Sequence, residues 1–267
     1  MKKAVLAIAG SDPSGGAGIQ GDLKSMSANG VFGMSVIASI TAQNTTGVTA
    51  VFHLPIQIIE AQLEAIFKDI PVACIKTGML ATADIVAAVS RKLRDCAGIP
   101  IVVDPVMIAK GGHRLLEPEA IDLVKRELLP QATLVTPNIF EAEALSNTTI
   151  RTLADARQAA KIIFKLGCRH VLIKGGHLSE RPGTDLLYDG RFFKMYTAAF
   201  IDTPHTHGTG CSFASAIAAH LAKGATMPDA IDIAKRYITE AIRHGWALGK
   251  GHGPTDHFYF LNQSPAI

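Results

Sequence analysis

Aromatic residues are scarce in this chain, at 6% with a single tryptophan, and they are dispersed. That leaves no stacking platform on which nucleic-acid bases could be read. Charge of one sign is not concentrated either. The formal net charge is +3 and no block of like charges occurs, which excludes a nucleic-acid footprint and a membrane-surface patch. No apolar run approaches the ~20 residues that a membrane-spanning helix needs. The apolar opening after Met1-Lys2-Lys3 is interrupted by Ser11 and Asp12, so it reads as a first strand and not as a secretory leader. The four cysteines, Cys74, Cys96, Cys168 and Cys211, form no C-x-x-C and no Cys/His ligand pair. A zinc site and a disulfide framework are therefore not expected, and a reducing cytoplasm fits best.

Two familiar nucleotide signatures are also missing. No G-x-x-x-x-G-K-[S/T] loop occurs. Gly16-Ala17-Gly18-Ile19-Gln20-Gly21 matches G-x-G-x-x-G, but its glycines start well past the first strand. No Asp or Glu lies between Asp22 and Glu60 to hold a ribose, so a nicotinamide oxidoreductase is set aside.

The chain does have a large apolar fraction, 48%, with 18% charged residues, as expected of a compact fold with a substantial core. Apolar, β-branched runs at 3–9, 35–41, 73–77, 99–104, 134–136 and 170–174 alternate with helical patterns at 18–29, 56–68, 82–96, 117–128 and 152–166. Near-continuous apolar strands separated by crossover helices predict a parallel sheet covered on both faces. A hairpin is predicted for 185–188 and 192–196 around Asp189-Gly190, and a last helix from Pro228 to Leu248. With no linker or repeat, residues 1–267 are read as one α/β domain. Polar residues stand where strands end, at Asp12, Gln43, Lys76, Asp104, Asn138 and Lys174. That is the side on which open α/β sheets collect their ligands.

Two glycine-rich segments each lead into a helix. One is Gly10-Ser11-Asp12-Pro13-Ser14-Gly15-Gly16-Ala17-Gly18; the other is His207-Gly208-Thr209-Gly210-Cys211, before the alanine-rich run 212–223. A helix start presents unpaired N–H groups and partial positive charge, and glycine lets the backbone close on an anion.

The first segment resembles the N-terminal signature of the hydroxymethylpyrimidine and phosphomethylpyrimidine kinases of thiamin biosynthesis. Ala42-Gln43-Asn44-Thr45, Lys76-Thr77-Gly78-Met79-Leu80, Val103-Asp104-Pro105-Val106-Met107, Thr136-Pro137-Asn138, Lys174-Gly175-Gly176-His177 and Thr206–Cys211 match the same family. The resemblance runs from Lys3 to about His257. It implies a ribokinase-like, doubly wound, mostly parallel sheet flanked by helices and carrying a small flap. It also implies ATP as phosphoryl donor, Mg2+, and a homodimer.

By the same resemblance, Gly208, Thr209, Gly210 and Cys211 form the catalytic anion hole. Cys211 is expected as the base, in thiolate form, for the substrate CH2OH, since a helix N-terminus can lower a thiol's pKa. Lys174, Asn138 and Thr209 are expected at the ATP phosphates. Glu141, in the N-x-x-E segment, and Asp104 are expected at the metal, because carboxylate and water suit a hard cation. Gly10, Asp22, Gln43, Met79 and Val106 are expected around the pyrimidine; a glutamine amide offers a donor beside an acceptor to an aminopyrimidine edge. The resemblance implies both phosphorylation steps, to the monophosphate and then the diphosphate. A pyridoxal kinase is the alternative, which Gln43 disfavours, and a catalytically silent ATP-binding regulator is the rival of another class. Lys110-Gly111-Gly112-His113 is a candidate lid.

Overall fold

The computed structural model describes residues 2–108, 115–176 and 181–262. The candidate lid at Lys110–His113, and His177 of the Lys174 motif, lie outside the described residues.

A nine-stranded sheet runs through the described residues. Its strands are β1 (Ala4–Gly10), β2 (Phe32–Asn44), β3 (Gly47–His53), β4 (Val72–Thr77), β5 (Ile101–Val103), β6 (Leu134–Val135), β7 (Val171–Ile173), β8 (Thr184–Tyr188) and β9 (Phe193–Thr197). They lie in the order β3-β2-β1-β4-β5-β6-β7-β8-β9. The six central strands pair in parallel, while β3, β8 and β9 pair antiparallel. The helices are α1 (Gly18–Ala28), α2 (Ile56–Asp69), α3 (Ala83–Leu93), α4 (Pro118–Leu123), α5 (Ile139–Ser146), α6 (Leu153–Phe164), α7 (Thr209–Ala222) and α8 (Met227–Arg243).

Alternate strand residues feed two cores. Leu6 and Ile8 of β1 join the layer of α2 to α6, whereas Val5 and Ala7 join the layer of α1, α7 and α8. Burial on both faces is why the central strands are apolar without alternation. The sheet is doubly wound, as expected. The chain turns outward from β1 to β2 and then returns to β4 on the other side of β1, so the loops after β1 and β4 diverge. That switch point opens a crevice at the carboxyl ends of the strands.

Four differences from the sequence reading have physical causes. First, β2 continues past Thr41 to Asn44 and turns back as β3, forming the small flap at the sheet edge. Second, α5 was not predicted. It starts at Asn138, whose side chain accepts from the Glu141 amide while Glu141 accepts from the Asn138 amide. The N-x-x-E pattern is thus also a capping box. Third, α8 ends at Arg243 instead of Leu248. A Cβ on Gly245 would stand 2.8 Å from the His205 carbonyl oxygen and 3.1 Å from that of Pro254, so the chain must leave the helix to pass between them. The predicted helix 117–128 divides similarly: α4 gives way to a wider turn at Val124–Leu128 and a tight one at Leu129–Gln131, where Pro130 cannot donate.

Candidate active site

The two glycine-rich segments meet. Gly208 caps α7 with φ of +79°, and a Cβ there would stand 1.8 Å from the Gly16 carbonyl oxygen, so only glycine allows this approach. Asp12 fastens the junction. One carboxylate oxygen accepts from the Ser14 amide at 2.9 Å and its hydroxyl at 2.7 Å; the other accepts from the Ala17 amide at 2.8 Å and pairs with His207 Nε2 at 2.7 Å. Burial pushes the Asp12 carboxyl up, but His207, Ser14 and Ala17 more than offset it and hold it down at about 2. The loop after β1 is therefore tied to the residue that precedes the α7 cap.

The C-terminal segment completes this frame. His207 donates its amide to the Gly253 carbonyl, and Thr255 donates back to His207. His252 donates its amide to Thr45 O at 2.9 Å and Gly251 donates to Thr45 Oγ1 at 3.2 Å, which pins the tip of the flap. His257 Nε2 meets Ser212 Oγ at 2.8 Å, and burial pushes this imidazole down to about 4. The tail is a brace between flap and α7, a role that its sequence did not indicate.

At the start of α7 the predicted anion hole is only partly available. Thr209 donates its amide to Thr206 O at 3.3 Å and its hydroxyl to the same oxygen at 2.8 Å. The expectation that Thr209 offers these groups to phosphate is therefore corrected. Gly210 and Cys211 follow it in the first turn, where amides lack an intrahelical acceptor. A Cβ on Gly210 would stand 3.2 Å from Lys174 Nζ and 3.8 Å from Asp104 Oδ2. Glycine here keeps the helix start open toward a cation and a carboxylate.

Lys174 Nζ donates to Asp104 Oδ1 at 2.7 Å, and Thr136 Oγ1 donates to the same oxygen at 3.2 Å. Burial pushes Lys174 down, but Asp104 and Glu141 more than offset it, so the ammonium is held above its usual range. Glu141 is buried and accepts from the Asn138 and Met107 amides; burial pushes its carboxyl up to about 7 against the pull of Lys174. Asn138 uses its side-chain oxygen on the α5 cap, at 2.9 Å from the Glu141 amide. Its predicted phosphate contact could come only from the amide nitrogen.

Two further expectations change. Cys211 sits at the third residue of α7, with the Gly18 amide donating toward Sγ. Burial pushes its thiol up to about 12; Lys76 pulls the other way, and Asp22 and Asp104 add to the rise. The expected thiolate therefore has burial against it, and Lys76 and the Gly18 amide in its favour. Asp22 is fully buried and accepts from Lys76 Nζ at 2.8 and 2.9 Å and from Ser215 Oγ at 2.8 Å. Its carboxylate is engaged below the crevice, not free for a ring nitrogen.

The remaining predicted residues frame the crevice mouth. Gln43 stands half-buried near the flap tip, and its side chain's only hydrogen bond among the described residues is a long one accepted from Thr41 Oγ1 at 3.4 Å. The buried Met79 covers the end of β1, its methyl 2.3 Å from where a Cβ on Gly10 would be. Val106 is half-buried and lines a narrow cleft with Gly78, Leu80, Asp104 and Leu116. A wider hollow lies at the amino ends of the strands, between Arg94, Pro100, Pro130 and Arg169, remote from all these groups. Sequence reasoning places Lys76 at a strand end and assigns it no role. A lysine inside an apolar strand was the available signal.

Residues 12–256 match the family described as phosphomethylpyrimidine kinase. The hydroxymethylpyrimidine/phosphomethylpyrimidine kinase of Bacillus subtilis is 46% identical over 260 residues, covering 97% of this chain and 96% of that protein. The thiamine biosynthesis bifunctional protein ThiED of Geobacter sulfurreducens is 49% identical over 253 residues; this chain spans only 52% of its length. Among solved structures, the ADP complex of Bacillus subtilis pyridoxal kinase superposes with a TM-score of 0.92 at 40% identity, covering 98% of this chain and 100% of that one. Phosphomethylpyrimidine kinase from Clostridium difficile gives 0.82 at 44% identity, covering 90% of this chain and 100% of that one. The higher TM-score goes with the greater coverage, and the higher identity with the pyrimidine enzyme.

Proposed function

The chain belongs to the phosphomethylpyrimidine kinase family of phosphotransferases, and we propose that it moves the terminal phosphoryl group of ATP onto the hydroxymethyl group of 4-amino-5-hydroxymethyl-2-methylpyrimidine, and then onto the resulting monophosphate. The observation that carries this reading is the open start of α7, where Gly210 stands beside the paired Lys174 and Asp104. Phosphoryl transfer needs alignment and charge neutralisation more than covalent help. Two first-turn amides with an ammonium beside them would supply that. Lys174 would exchange part of its bond to Asp104 for the transferring group.

Asp104 and Glu141 fit Mg2+ as a donor set, since both offer hard oxygens and both act on Lys174. Among the described residues no group of three or more His, Cys, Asp or Glu could hold a metal ion, so nucleotide phosphates and water would complete the coordination. When bound, the ion supplies charge neutralisation at the phosphates.

Cys211 accepts the hydroxyl proton in its thiolate form in this reading. A thiol pushed up to about 12 makes a scarce but strong base, which ties turnover to pH. Gln43, with little to hold it in place, offers its amide to the aminopyrimidine edge, and Met79 and Val106 supply apolar walls.

We place the enzyme in the cytoplasm, where separate free thiols stay reduced. No helix among the described residues is long and apolar enough to cross a membrane. A homodimer is part of the same reading: Ile40 and Phe52, cross-strand partners on the flap, are exposed apolar surface that a second copy would cover.

Pyridoxal phosphorylation is the second reading, favoured by the close superposition on a pyridoxal kinase. ADP release from Mg-ATP, measured with hydroxymethylpyrimidine and pyridoxal as separate acceptors, tests the proposal. A larger kcat/KM for the pyrimidine is expected. Turnover with pyridoxal alone would overturn the substrate assignment, and ATP binding without acceptor-dependent ADP release would leave only a silent regulator.

A further inference from the structure

Lys76 lies in β4 with no exposure at all. Strand alternation puts it on the same face as Cys74, in the layer formed by α1, α7 and α8. A buried ammonium survives only when paired, and Asp22 pairs it through both carboxylate oxygens. Pairing explains how the charge is tolerated, not why it is there, since apolar residues of similar volume commonly pack at least as well.

The surroundings suggest the reason. Ser215 follows Cys211 by one turn on α7, and Asp22 follows Gly18 by one turn on α1. Ser215 donates to Asp22, and Gly18 donates toward Cys211. The two helices therefore run side by side away from the crevice, with the thiol at one level and the ion pair one turn beneath. The charged groups that act on the thiol are Lys76 from β4, Asp22 from α1, Asp104 after β5 and Lys174 after β7. Lys174 is bound to Asp104 and faces the phosphates, which leaves Lys76 as the cation with fixed partners.

We propose that Lys76, clamped by Asp22, is a positioning residue whose buried ammonium stabilises the Cys211 thiolate. The inference rests on the reading of Cys211 as proton acceptor. In that step the substrate O–H bond breaks and an S–H bond forms, while the freed oxygen pair makes the new O–P bond. The bond between the terminal phosphorus and the bridging oxygen breaks to release ADP. The thiol proton then returns to solvent, and Lys76 keeps its own proton throughout.

The test is iodoacetamide alkylation of Cys211 in the full chain, located by peptide mass mapping, alongside kcat across the same pH range. The paired substitution Lys76→Met with Asp22→Asn keeps volume and removes both charges. It is expected to slow alkylation about tenfold at a given pH, as one unit of thiol ionisation would. The expected kcat falls with it, while KM for ATP holds. Asp22→Asn alone keeps the cation and removes the anion, so alkylation should become faster; this variant decides the matter if the paired one does not fold. Unchanged alkylation in the paired variant, or slower or unchanged alkylation in Asp22→Asn, overturns the role of Lys76. Alkylation that shifts as expected while kcat does not follow supports Lys76 and defeats the reading of Cys211 as the base.

Discussion

Gly210→Ala separates stability from catalysis at the start of α7. The residue has an ordinary helical backbone, and its added methyl would meet only Lys174 Nζ at 3.2 Å and Asp104 Oδ2 at 3.8 Å. The first contact is tight, yet it involves the tip of a flexible side chain, so the fold can accommodate it. Alanine in place of helical glycine is worth up to ~0.5–1 kcal/mol through lower unfolded-state entropy. In a chain of this size that corresponds to a Tm about 1–3 °C higher, less what is lost at the Lys174–Asp104 bond. The same methyl stands where the transferring phosphoryl group must approach the Gly210 and Cys211 amides. Loss of one such donor typically costs ~10²–10³ in kcat, so a fall of at least ~10²-fold is expected. Calorimetry and steady-state ADP release on the purified variant provide both numbers. Near-normal turnover would refute the phosphate site at this helix start, whatever the Tm.

Other expectations follow from the same geometry. Because only the thiolate of Cys211 can accept a proton and burial pushes the thiol up to about 12, single-turnover rates should rise about tenfold per pH unit between pH 7 and 9. Cys211→Ser should lose that slope; a flat wild-type profile would contradict the base assignment. Asp12 has a carboxyl depressed from 3.8 to about 2, so its contribution to stability is present above pH 3.8 and is lost as pH falls through about 2. Asp12→Asn should therefore cost about 2 kcal/mol in urea unfolding at pH 7 and progressively less in the window between pH 3.8 and 2. An equal cost at pH 7 and pH 2.5 would show that the carboxylate's charge is not what matters. Gln43→Ala should raise KM for the pyrimidine about tenfold, the loss expected from one or two good hydrogen bonds, with KM for ATP unchanged. A matching rise for ATP would place Gln43 elsewhere in the chemistry.

Much of the architecture was legible because buried parallel strands are apolar throughout and crossover helices are not. β1, β4 and β7 were visible as runs for that reason. β3 was not, because it is exposed and Gly47-Val48-Thr49-Ala50 has neither a buried run nor clean alternation; only the family resemblance implied a flap. α5 was hidden differently, since Asn138 and Glu141 fit one pattern with two readings, the observed cap and the proposed metal site. In the candidate site, the sequence brought out the residues at strand ends but not their pairings. Asp22 lies far from Lys76 in sequence, and Asp12 far from His207, so contacts between them have no local signature. The same holds for Cys211: a helix start favours the thiolate, and only the folded surroundings reveal that burial pushes the thiol up.

The most direct test of the account is to follow, by phosphorus NMR and mass spectrometry, the products formed from Mg-ATP and hydroxymethylpyrimidine. The account predicts pyrimidine monophosphate first and pyrimidine diphosphate after it, with one ADP released per phosphoryl group added. ATP left intact beside unmodified pyrimidine, while pyridoxal is phosphorylated under the same conditions, would contradict it.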